Sequence, residues 1–179
     1  MGRRQAVRLF LLLASALAWP ATASASDPFR ELDLIRPSRS TLAPDFTVSG
    51  LESRPLRLRE FTGKVILLNF WATWCPPCKE EMPSMERLYQ RYRDRDFTIL
   101  AISIDTQGAG AVAQFVRTFQ LTFPIGLDPK MEVADRYTVR ALPTTFLIDK
   151  SGGTVGVAMG PRDWDSRAAH AAIDSLLRT

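Results

Sequence analysis

The most informative stretch of the chain is KVILLNFWATWCPPCKEEMP, residues 64–83. It opens with a nearly continuous apolar run, residues 64–71, which is typical of a central strand buried on both faces of a sheet. Pro76 then favours the first turn of a helix, because proline fixes a helical backbone angle and no hydrogen bond to its nitrogen is needed there. The stretch therefore predicts a buried strand that runs directly into a helix, with Cys75 and Cys78 at the junction.

Cys75 and Cys78 are the only two cysteines of the chain. A disulfide that closes so short a loop removes little entropy from the unfolded chain, so stabilisation is a poor reason for the pair. A helix N-terminus offers free N–H groups and about half a positive charge, and both favour a thiolate. We therefore predict redox chemistry, with Cys75 as the exposed nucleophile of low pKa and Cys78 as the thiol that resolves the mixed disulfide.

A cysteine pair can also be half of a zinc site, but such a site needs two further ligands. The single histidine of the chain is His170, far from the cysteines in sequence and expected on the surface of the last helix. We therefore expect no metal and no cofactor.

Strand patterns recur on both sides of the central stretch. The first two flank a turn at Ser49-Gly50 and the last two a turn at residues 151–153, so each pair is expected to form a hairpin. The predicted strands cover residues 45–48, 55–58, 97–104, 123–127, 144–148 and 154–158.

Helical periodicity fills the intervals between the strands. One buried stripe follows Pro76 and consists of Met82, Met85, Tyr89 and Tyr92. Residues 112–119 form a second helix, while Asp128, followed by Pro129, and Asp163 are expected N-caps of two more. Strands that alternate with helices predict an α/β fold with a central mixed sheet and helices on both faces.

The first 25 residues have the features of a secretory signal peptide. Three arginines precede the apolar run at residues 9–19, and small residues suited to cleavage follow at 21–25. The run is short for a membrane span, which needs about 17–25 apolar residues, so an uncleaved anchor is the alternative. Export predicts a periplasmic protein, membrane-anchored if the leader is not cleaved.

With 179 residues, the chain is long enough for one domain with a real core. We assign residues 1–25 to the leader, 26–41 to an ordered but irregular arm and 42–179 to the folded domain. Without the leader arginines, the net charge of +4 falls to 20 basic against 19 acidic residues. Because no basic patch carries interleaved aromatic residues, nucleic-acid binding is not expected.

These motifs resemble the thioredoxin superfamily, and specifically its exported TlpA/ResA-like branch. The resemblance covers about residues 42–177 and rests mainly on Trp74-Cys75-Pro76-Pro77-Cys78-Lys79 and on residues 43–46, 101–105 and 142–149. It implies a thioredoxin-like fold with an N-terminal hairpin and an inserted strand–helix near residues 97–121.

The resemblance also implies the residues that contact a substrate. Pro143 should be the cis-proline beside the disulfide, and a cis-proline exposes the backbone of Leu142 for pairing with an extended peptide. We predict a substrate-binding set of Trp74, Pro76, Leu142, Pro143 and Thr144. Three other large side chains are expected to fill the core, namely Trp71, Met131 and Met159.

Plain thioredoxins carry a buried aspartate six residues before the first cysteine, whereas this chain has Asn69 there, which cannot exchange a proton. Glu81 lies three residues after Cys78 on the same helix face and resembles the active-site glutamate of the ResA-like branch. We predict that Glu81 accepts the Cys78 proton during resolution. The alternative is a solvated helix residue, as expected of Glu80.

The activity that the resemblance implies is reduction of protein disulfides in the periplasm, in cytochrome c maturation or on another redox-protein precursor. The substrate would be an exported disulfide-containing protein such as an apocytochrome c. Because two cysteines cannot regenerate themselves, a membrane thiol-transfer protein is the expected electron donor, and we expect a monomer.

Two alternatives come from other functional classes. A peroxiredoxin-like peroxidase would need a threonine three residues before the reactive cysteine, but this position is Ala72, and Thr73 lies one residue off. A docking module or metallochaperone without redox activity would not need the intact Cys75 and Cys78.

Overall fold

The computed structural model describes residues 27–39 and 41–179, so the predicted signal peptide lies outside the described residues. The strands in chain order are β1 Thr41–Leu42, β2 Thr47–Gly50, β3 Pro55–Arg57, β4 Val65–Trp71, β5 Phe97–Ser103, β6 Ile125–Leu127, β7 Thr144–Ile148 and β8 Gly153–Met159. The helices are α1 Pro28–Glu31, α2 Pro76–Tyr92, α3 Ala109–Thr118, α4 Glu132–Arg136 and α5 Arg167–Leu177, and a 3-10 helix covers Leu58–Phe61.

The described strands form one mixed sheet in the order β1-β8-β7-β4-β5-β6-β2-β3. β4 lies inside this sheet, parallel to β5 on one side and antiparallel to β7 on the other. All seven residues of β4 and all seven of β5 are buried, as the continuous apolar runs predicted. The central mixed sheet is thus confirmed, and its central strand ends at Trp71, just before the loop that leads to Cys75.

The other predicted elements lie close to their expected positions. The N-terminal hairpin is the antiparallel pair β2–β3 at one edge of the sheet, and the closing hairpin is β7–β8. The inserted strand–helix is β5 with α3. Trp71 at the end of β4 is fully buried and packs on Phe115 of α3, with ring centroids 4.8 Å apart, so the inserted helix covers the core beside the cysteines.

Two helices begin later than predicted. α4 starts at Glu132 and not at Pro129, because Met131 has a φ of 60° that interrupts a helix. The Asp128 carboxylate nevertheless accepts hydrogen bonds from the N–H groups of Val133 and Ala134 at 3.0 and 2.9 Å. Asp128 therefore accepts N–H groups at the start of α4, although a turn separates it from the helix.

The last helix is capped by Ser166 and not by Asp163. Ser166 Oγ accepts the N–H of Ala169 at 3.2 Å, while the Asp163 carboxylate accepts that of Asp165. Trp164 therefore precedes α5 and is buried there, where it reaches the site described below.

The segment before the domain is more regular than the irregular arm that we expected. It contains α1, a bridge between Ile35 and Val157 of β8, and β1, which pairs with β8. Phe29, Leu32 and Leu34 are buried. The arm is therefore attached to the sheet, while the boundary that we placed between residues 41 and 42 stays a prediction.

Across residues 27–39 and 41–179, the structure contains no helix with both the length and the apolar character that crossing a membrane requires.

Candidate active site

The cysteines lie at the junction of β4 and α2, as predicted, and form a disulfide. Cys75 is the N-cap of α2, and its sulfur accepts the N–H of Cys78 at 3.3 Å. Pro76 and Pro77 have no N–H to donate, so Cys78 provides the first main-chain donor after Cys75. The sulfur that we expect to carry the thiolate therefore sits at a helix start that is poorer in donors than most.

The disulfide is less accessible than we predicted. Cys75 is 4% exposed, so the expectation of an exposed nucleophile is wrong for this oxidised form, and Cys78 is 0% exposed. Cys75 nonetheless lines a groove on the surface, and Cys78 does not. Access from outside is therefore to Cys75.

The groove beside Cys75 has a volume of about 670 Å³ and mostly apolar walls. Trp74 forms part of its rim and is 57% exposed. Met131, which we expected in the core, lines the groove and is 37% exposed because its turn directs it outward. Met159 is also not a core residue, since it is 54% exposed at the end of β8 opposite Thr144.

The loop before β7 contains the predicted cis-proline. The Leu142–Pro143 peptide bond is cis, and Leu142 lines the groove together with Trp74 and Pro76. Pro143 and Thr144 are buried instead, and the Thr144 hydroxyl donates to the Ala141 carbonyl at 2.7 Å. The structure therefore brings three of the five predicted substrate-binding residues to the groove, while the buried Pro143 and Thr144 do not line it.

Glu81 is not a solvated helix residue. It is 2% exposed, whereas Glu80 is exposed. Its Oε1 accepts the side-chain N–H of Asn69 at 2.8 Å, and its Oε2 accepts the indole N–H of Trp164 at 3.1 Å and the backbone N–H of Arg162 at 3.2 Å. Burial raises the pKa of Glu81 from its ordinary value of 4.5 to about 7, although these three hydrogen bonds oppose the shift.

Asn69 links Glu81 to the neighbouring strand. It is fully buried, and its Nδ2 donates both to Glu81 and to the hydroxyl of Thr145 at 2.9 Å. Its Oδ1 accepts no hydrogen bond from any residue in the described part of the chain. The site therefore contains a buried polar row that runs from α2 through β4 to β7.

Sequence reasoning missed Asp105, which holds the loop before the cysteines. Its carboxylate accepts the N–H and the hydroxyl of Thr73 at 2.9 and 2.5 Å and the hydroxyl of Ser103 at 2.7 Å. Asp105 follows the predicted strand directly, and a polar residue at that position is the signal that could have revealed it. Arg162 and Trp164 were also missed, since neither is marked as a partner of Glu81 by any nearby motif.

A second cavity reaches Glu81 from another side. This cleft of about 390 Å³ lies between α2 and the segment after β8, and it shares no lining residue with the groove beside Cys75. Its walls are Glu80, Glu81, Pro83, Ser84, Arg87, Pro161, Arg162 and Asp163. Glu81 therefore borders a surface cleft that is separate from the groove beside Cys75.

His170 is not an ordinary surface residue, although it lies far from the cysteines in sequence. Its ring stacks on Tyr92 with centroids 5.7 Å apart, and its Nε2 lies 2.9 Å from the Asp165 carboxylate. These contacts tie α5 to α2 and give His170 a packing role.

Comparison with known proteins gives one family. The sequence profile described as the AhpC/TSA family matches residues 40–156. The thiol-disulfide oxidoreductase ResA of Bacillus thuringiensis subsp. konkukian (strain 97-27) is 43% identical over 113 residues, which are 63% of this chain and 65% of that protein. The same-named protein of Geobacillus thermodenitrificans (strain NG80-2) is 46% identical over 118 residues, which are 66% and 67% of the two chains. This chain thus spans just under two thirds of the first relative's length.

Solved structures agree with this assignment. A putative thiol:disulfide interchange protein DsbE from Chlorobium tepidum superposes with a TM-score of 0.72 at 31% identity, covering 78% of this chain and 98% of that one. StoA from Bacillus subtilis gives a TM-score of 0.60 at 26% identity, with coverages of 74% and 96%. The thioredoxin-like fold is therefore confirmed, and the chain belongs to the AhpC/TSA family and, within it, to the ResA/TlpA-like thioredoxin-type proteins.

Proposed function

We propose that this protein reduces disulfides in exported proteins by dithiol exchange through Cys75 and Cys78. The observation that carries the proposal is the Cys75–Cys78 disulfide at the start of α2, with the buried Glu81 on the same helix. The names of the relatives, thiol-disulfide oxidoreductase and thiol:disulfide interchange protein, support the same class of reaction.

The reaction begins with the reduced enzyme. The Cys75 thiolate attacks one sulfur of the substrate disulfide, the substrate S–S bond breaks, and the other substrate sulfur leaves as a thiolate that takes up a proton. Cys78 then loses its proton and attacks the Cys75 sulfur of the mixed disulfide. The second substrate sulfur leaves, so the substrate gains two electrons and the enzyme ends as the Cys75–Cys78 disulfide.

Glu81 is the proposed acceptor of the Cys78 proton. The two residues lie three positions apart on α2, so their side chains are neighbours on one helix face. A base works best when its pKa is near the working pH, and the pKa of Glu81 is raised to about 7 by burial. The cleft beside Glu81 then lets the proton leave to solvent.

The proposed setting is the periplasm, with the protein either free or anchored through its leader. With two cysteines, the enzyme is fully oxidised after one turnover and needs an external dithiol, for which a membrane thiol-transfer protein is the proposed donor. The proposed substrates are exported proteins with a disulfide, including apocytochrome c, and the proposed state is a monomer.

A peroxiredoxin-like peroxidase fits the site less well. The position three before Cys75 is Ala72, which is buried, and the hydroxyl of Thr73 is already donated to Asp105. Neither residue offers a hydroxyl that could bind a peroxide beside Cys75. A docking module or metallochaperone is disfavoured because the relatives are named as oxidoreductases.

Reduction of insulin by dithiothreitol tests the proposal. We expect catalytic amounts of the protein to accelerate insulin precipitation, and Cys75→Ser to abolish the acceleration. Peroxide consumption under the same conditions should be no faster than with Cys75→Ser. A protein that consumes peroxide but leaves insulin intact would contradict the reductase assignment.

The role of Glu81 needs a separate test. Resolution of a preformed mixed disulfide by Cys78 should slow in Glu81→Gln near neutral pH, by on the order of 10²-fold or less. Glu80→Gln is the matched control, since Glu80 is an exposed neighbour on the same helix. An unchanged pH–rate profile in Glu81→Gln would leave Glu81 without a catalytic role.

A trapping variant can identify the natural substrate. Cys78→Ser stops the reaction at the mixed disulfide, so the substrate stays bound to Cys75 and can be isolated from the periplasm. Recovery of apocytochrome c would support the cytochrome role, and recovery of other exported proteins would redirect it.

A further inference from the structure

Residues 160–163, the first part of the segment between β8 and α5, contact both the cis-proline loop and Glu81 through backbone N–H groups. The N–H of Gly160 donates to the carbonyl of Pro143 at 2.8 Å. The N–H of Arg162 donates to Glu81 Oε2 at 3.2 Å. The shape of this connecting loop therefore sets the position of two groups that belong to different parts of the chain.

The side chain of Arg162 holds the loop in this shape from within. Its Nη1 donates to three successive carbonyls, those of Met159, Gly160 and Pro161, at 3.2, 3.2 and 3.0 Å. A guanidinium is planar and carries five N–H groups in a fixed fork, so it can serve several acceptors at once. A lysine has a single nitrogen and cannot reproduce this arrangement.

The same guanidinium also reaches the N-terminal arm. Its Nε donates to the carbonyl of Leu32 at 2.7 Å, and its Nη2 to the carbonyl and the carboxylate of Asp33 at 3.0 and 3.1 Å. The Asp33 side chain is 96% exposed, so its ion pair contributes little, and the backbone carbonyls account for most of the contact. Arg162 itself is only 17% exposed.

We propose that Arg162 is a positioning residue for the dithiol reaction: its guanidinium shapes the connecting loop and clamps the arm to it, so that arm docking and the hydrogen bonding of Glu81 are coupled. The proposal rests on the proposed function in one respect, the role of Glu81 as the acceptor of the Cys78 proton. It adds that residues outside the active-site motif, on the arm and after β8, control that acceptor.

The groups around Glu81 decide whether loss of the Arg162 side chain raises or lowers the pKa of Glu81. The charged ones are Arg162 from the loop, Glu80 and Arg87 from its own helix, and Asp163. The groups that donate hydrogen bonds to its carboxylate from side chains in the described part of the chain are the neutral amide of Asn69 on β4 and the neutral indole of Trp164. The hydrogen bond and the charge of Arg162 both favour the ionised form of Glu81. Loss of the fork should therefore raise the pKa of Glu81 further.

The experiment measures the Glu81 titration directly in the full-length oxidised protein. Glutamate labelled with ¹³C at the side-chain carboxyl gives one signal per residue in NMR spectra, and the Glu81→Gln spectrum assigns the signal of Glu81. In Arg162→Gln, we expect the midpoint to rise by about one pH unit or more, the size that loss of one hydrogen bond to a charged group produces. The pH profile of Cys78 resolution should move by the same amount.

Two further variants distinguish the effect of the Arg162 hydrogen bonds from the effect of its positive charge. Arg162→Lys keeps the charge but cannot make the same set of hydrogen bonds, so about half or more of the upward shift in the pKa of Glu81 should persist in it. Arg87→Gln removes a charge from the same cleft, but Arg87 pairs with Asp165 and makes no hydrogen bond to Glu81, so its shift should be under about a third as large. Full restoration by lysine, or equal shifts in both glutamine variants, would overturn the positioning role.

Amide hydrogen exchange tests the arm. The N–H of Ile35 donates to Val157 and that of Val157 donates to Ile35, and both should exchange faster in Arg162→Gln than in Arg87→Gln. Equal exchange in the two variants would overturn the coupling to the arm. Failure to reduce insulin would contradict the proposed function. The NMR titration requires no substrate, so it would still decide the role of Arg162.

Discussion

The side-chain amide of Asn69 donates a hydrogen bond to the Glu81 carboxylate over 2.8 Å. Asn69 occupies the position on β4 where plain thioredoxins carry a buried aspartate, and Glu81 lies on the facing helix. The buried acid of this site therefore lies on the helix and not on the strand, and the strand position carries a neutral hydrogen-bond donor. Burial raises the pKa of Glu81 to about 7, while the hydrogen bonds from Trp164, Arg162 and Asn69 favour the charged form and oppose a further rise.

This pair makes a prediction about stability and pH. The pKa of Glu81 is about 7 in the folded protein against 4.5 without burial, so the folded state binds more protons between these values. Linkage then requires the contribution of Glu81 to be fully present below pH 4.5 and to be lost as pH rises through 7. The free energy of unfolding should fall by roughly 3 kcal/mol over this interval because of Glu81 alone.

Urea unfolding of the oxidised protein at pH 5 and pH 8 measures this loss. Glu81→Gln should lose less stability between the two pH values than the wild type, while Glu80→Gln should behave as the wild type. Identical pH dependence in Glu81→Gln and the wild type would contradict the raised pKa.

Asn69→Asp would place a second carboxyl group at hydrogen-bond distance from Glu81. Two adjacent carboxyl groups share one proton, and the second cannot ionise without strong repulsion. We expect the variant to be less stable than the wild type at pH 8 by about 2 kcal/mol or more, and by less at pH 5, where a protonated carboxyl can replace the lost donor.

Asn69→Ala is the matched control for this variant, since it removes the donor to Glu81 without adding a charge. Its loss of stability should depend less on pH than that of Asn69→Asp. If Asn69→Asp is as stable as the wild type at pH 8, the two carboxyl groups do not interact as the geometry requires.

The strand–helix junction could be predicted because its signals are local. An apolar run, two prolines and two cysteines lie within residues 64–83, and each acts on its immediate neighbours. The cis-proline and the role of Glu81 came from family resemblance, since no local pattern marks them. The local helical sequence does not predict the burial of Glu81, because its neighbour Glu80 is also a glutamate and is exposed.

Contacts between residues far apart in the sequence cannot be predicted from local patterns. Arg162 and Trp164 follow Glu81 by 81 and 83 residues, and only the folded sheet brings them to its carboxylate. Met131 was misplaced for a different reason. Its positive φ delays the start of α4 and turns the side chain toward the groove, and a methionine is an unusual residue for that conformation.

The two cysteines of the reduced protein should differ in reactivity. Cys75 lines the groove and accepts a hydrogen bond at the helix start, while Cys78 is fully buried. At mildly acid pH, iodoacetamide should modify Cys75 at least about tenfold faster, the ratio that one unit of thiol pKa produces when both are protonated. Mass spectrometry of labelled peptides measures the ratio, with the two single serine variants as controls. Faster labelling of Cys78 would reverse the assigned roles.

The proline pair after Cys75 makes a prediction about the reduction potential. A reduced protein is favoured when its thiolate is stabilised, and here the first main-chain donor to Cys75 is the N–H of Cys78. Pro76→His adds an N–H group and a ring that can carry a positive charge. One charge-assisted hydrogen bond is worth about 1.5–3 kcal/mol, and about 1.4 kcal/mol corresponds to 30 mV for a two-electron couple. The potential should therefore rise by roughly 30–60 mV, and the pKa of Cys75 should fall.

Equilibration of both proteins with glutathione buffers measures the two potentials, and Pro76→Ala, which restores the N–H without the ring, should lie between them. The native proline pair should keep the protein well below strongly oxidising thiol–disulfide proteins, whose potential is about −120 mV. A low potential means that the reduced enzyme tends to give up electrons, so it favours the reductase direction over the oxidase direction. A native potential near −120 mV would argue for an oxidase, and an unchanged potential in Pro76→His would show that donors at position 76 do not reach the Cys75 sulfur.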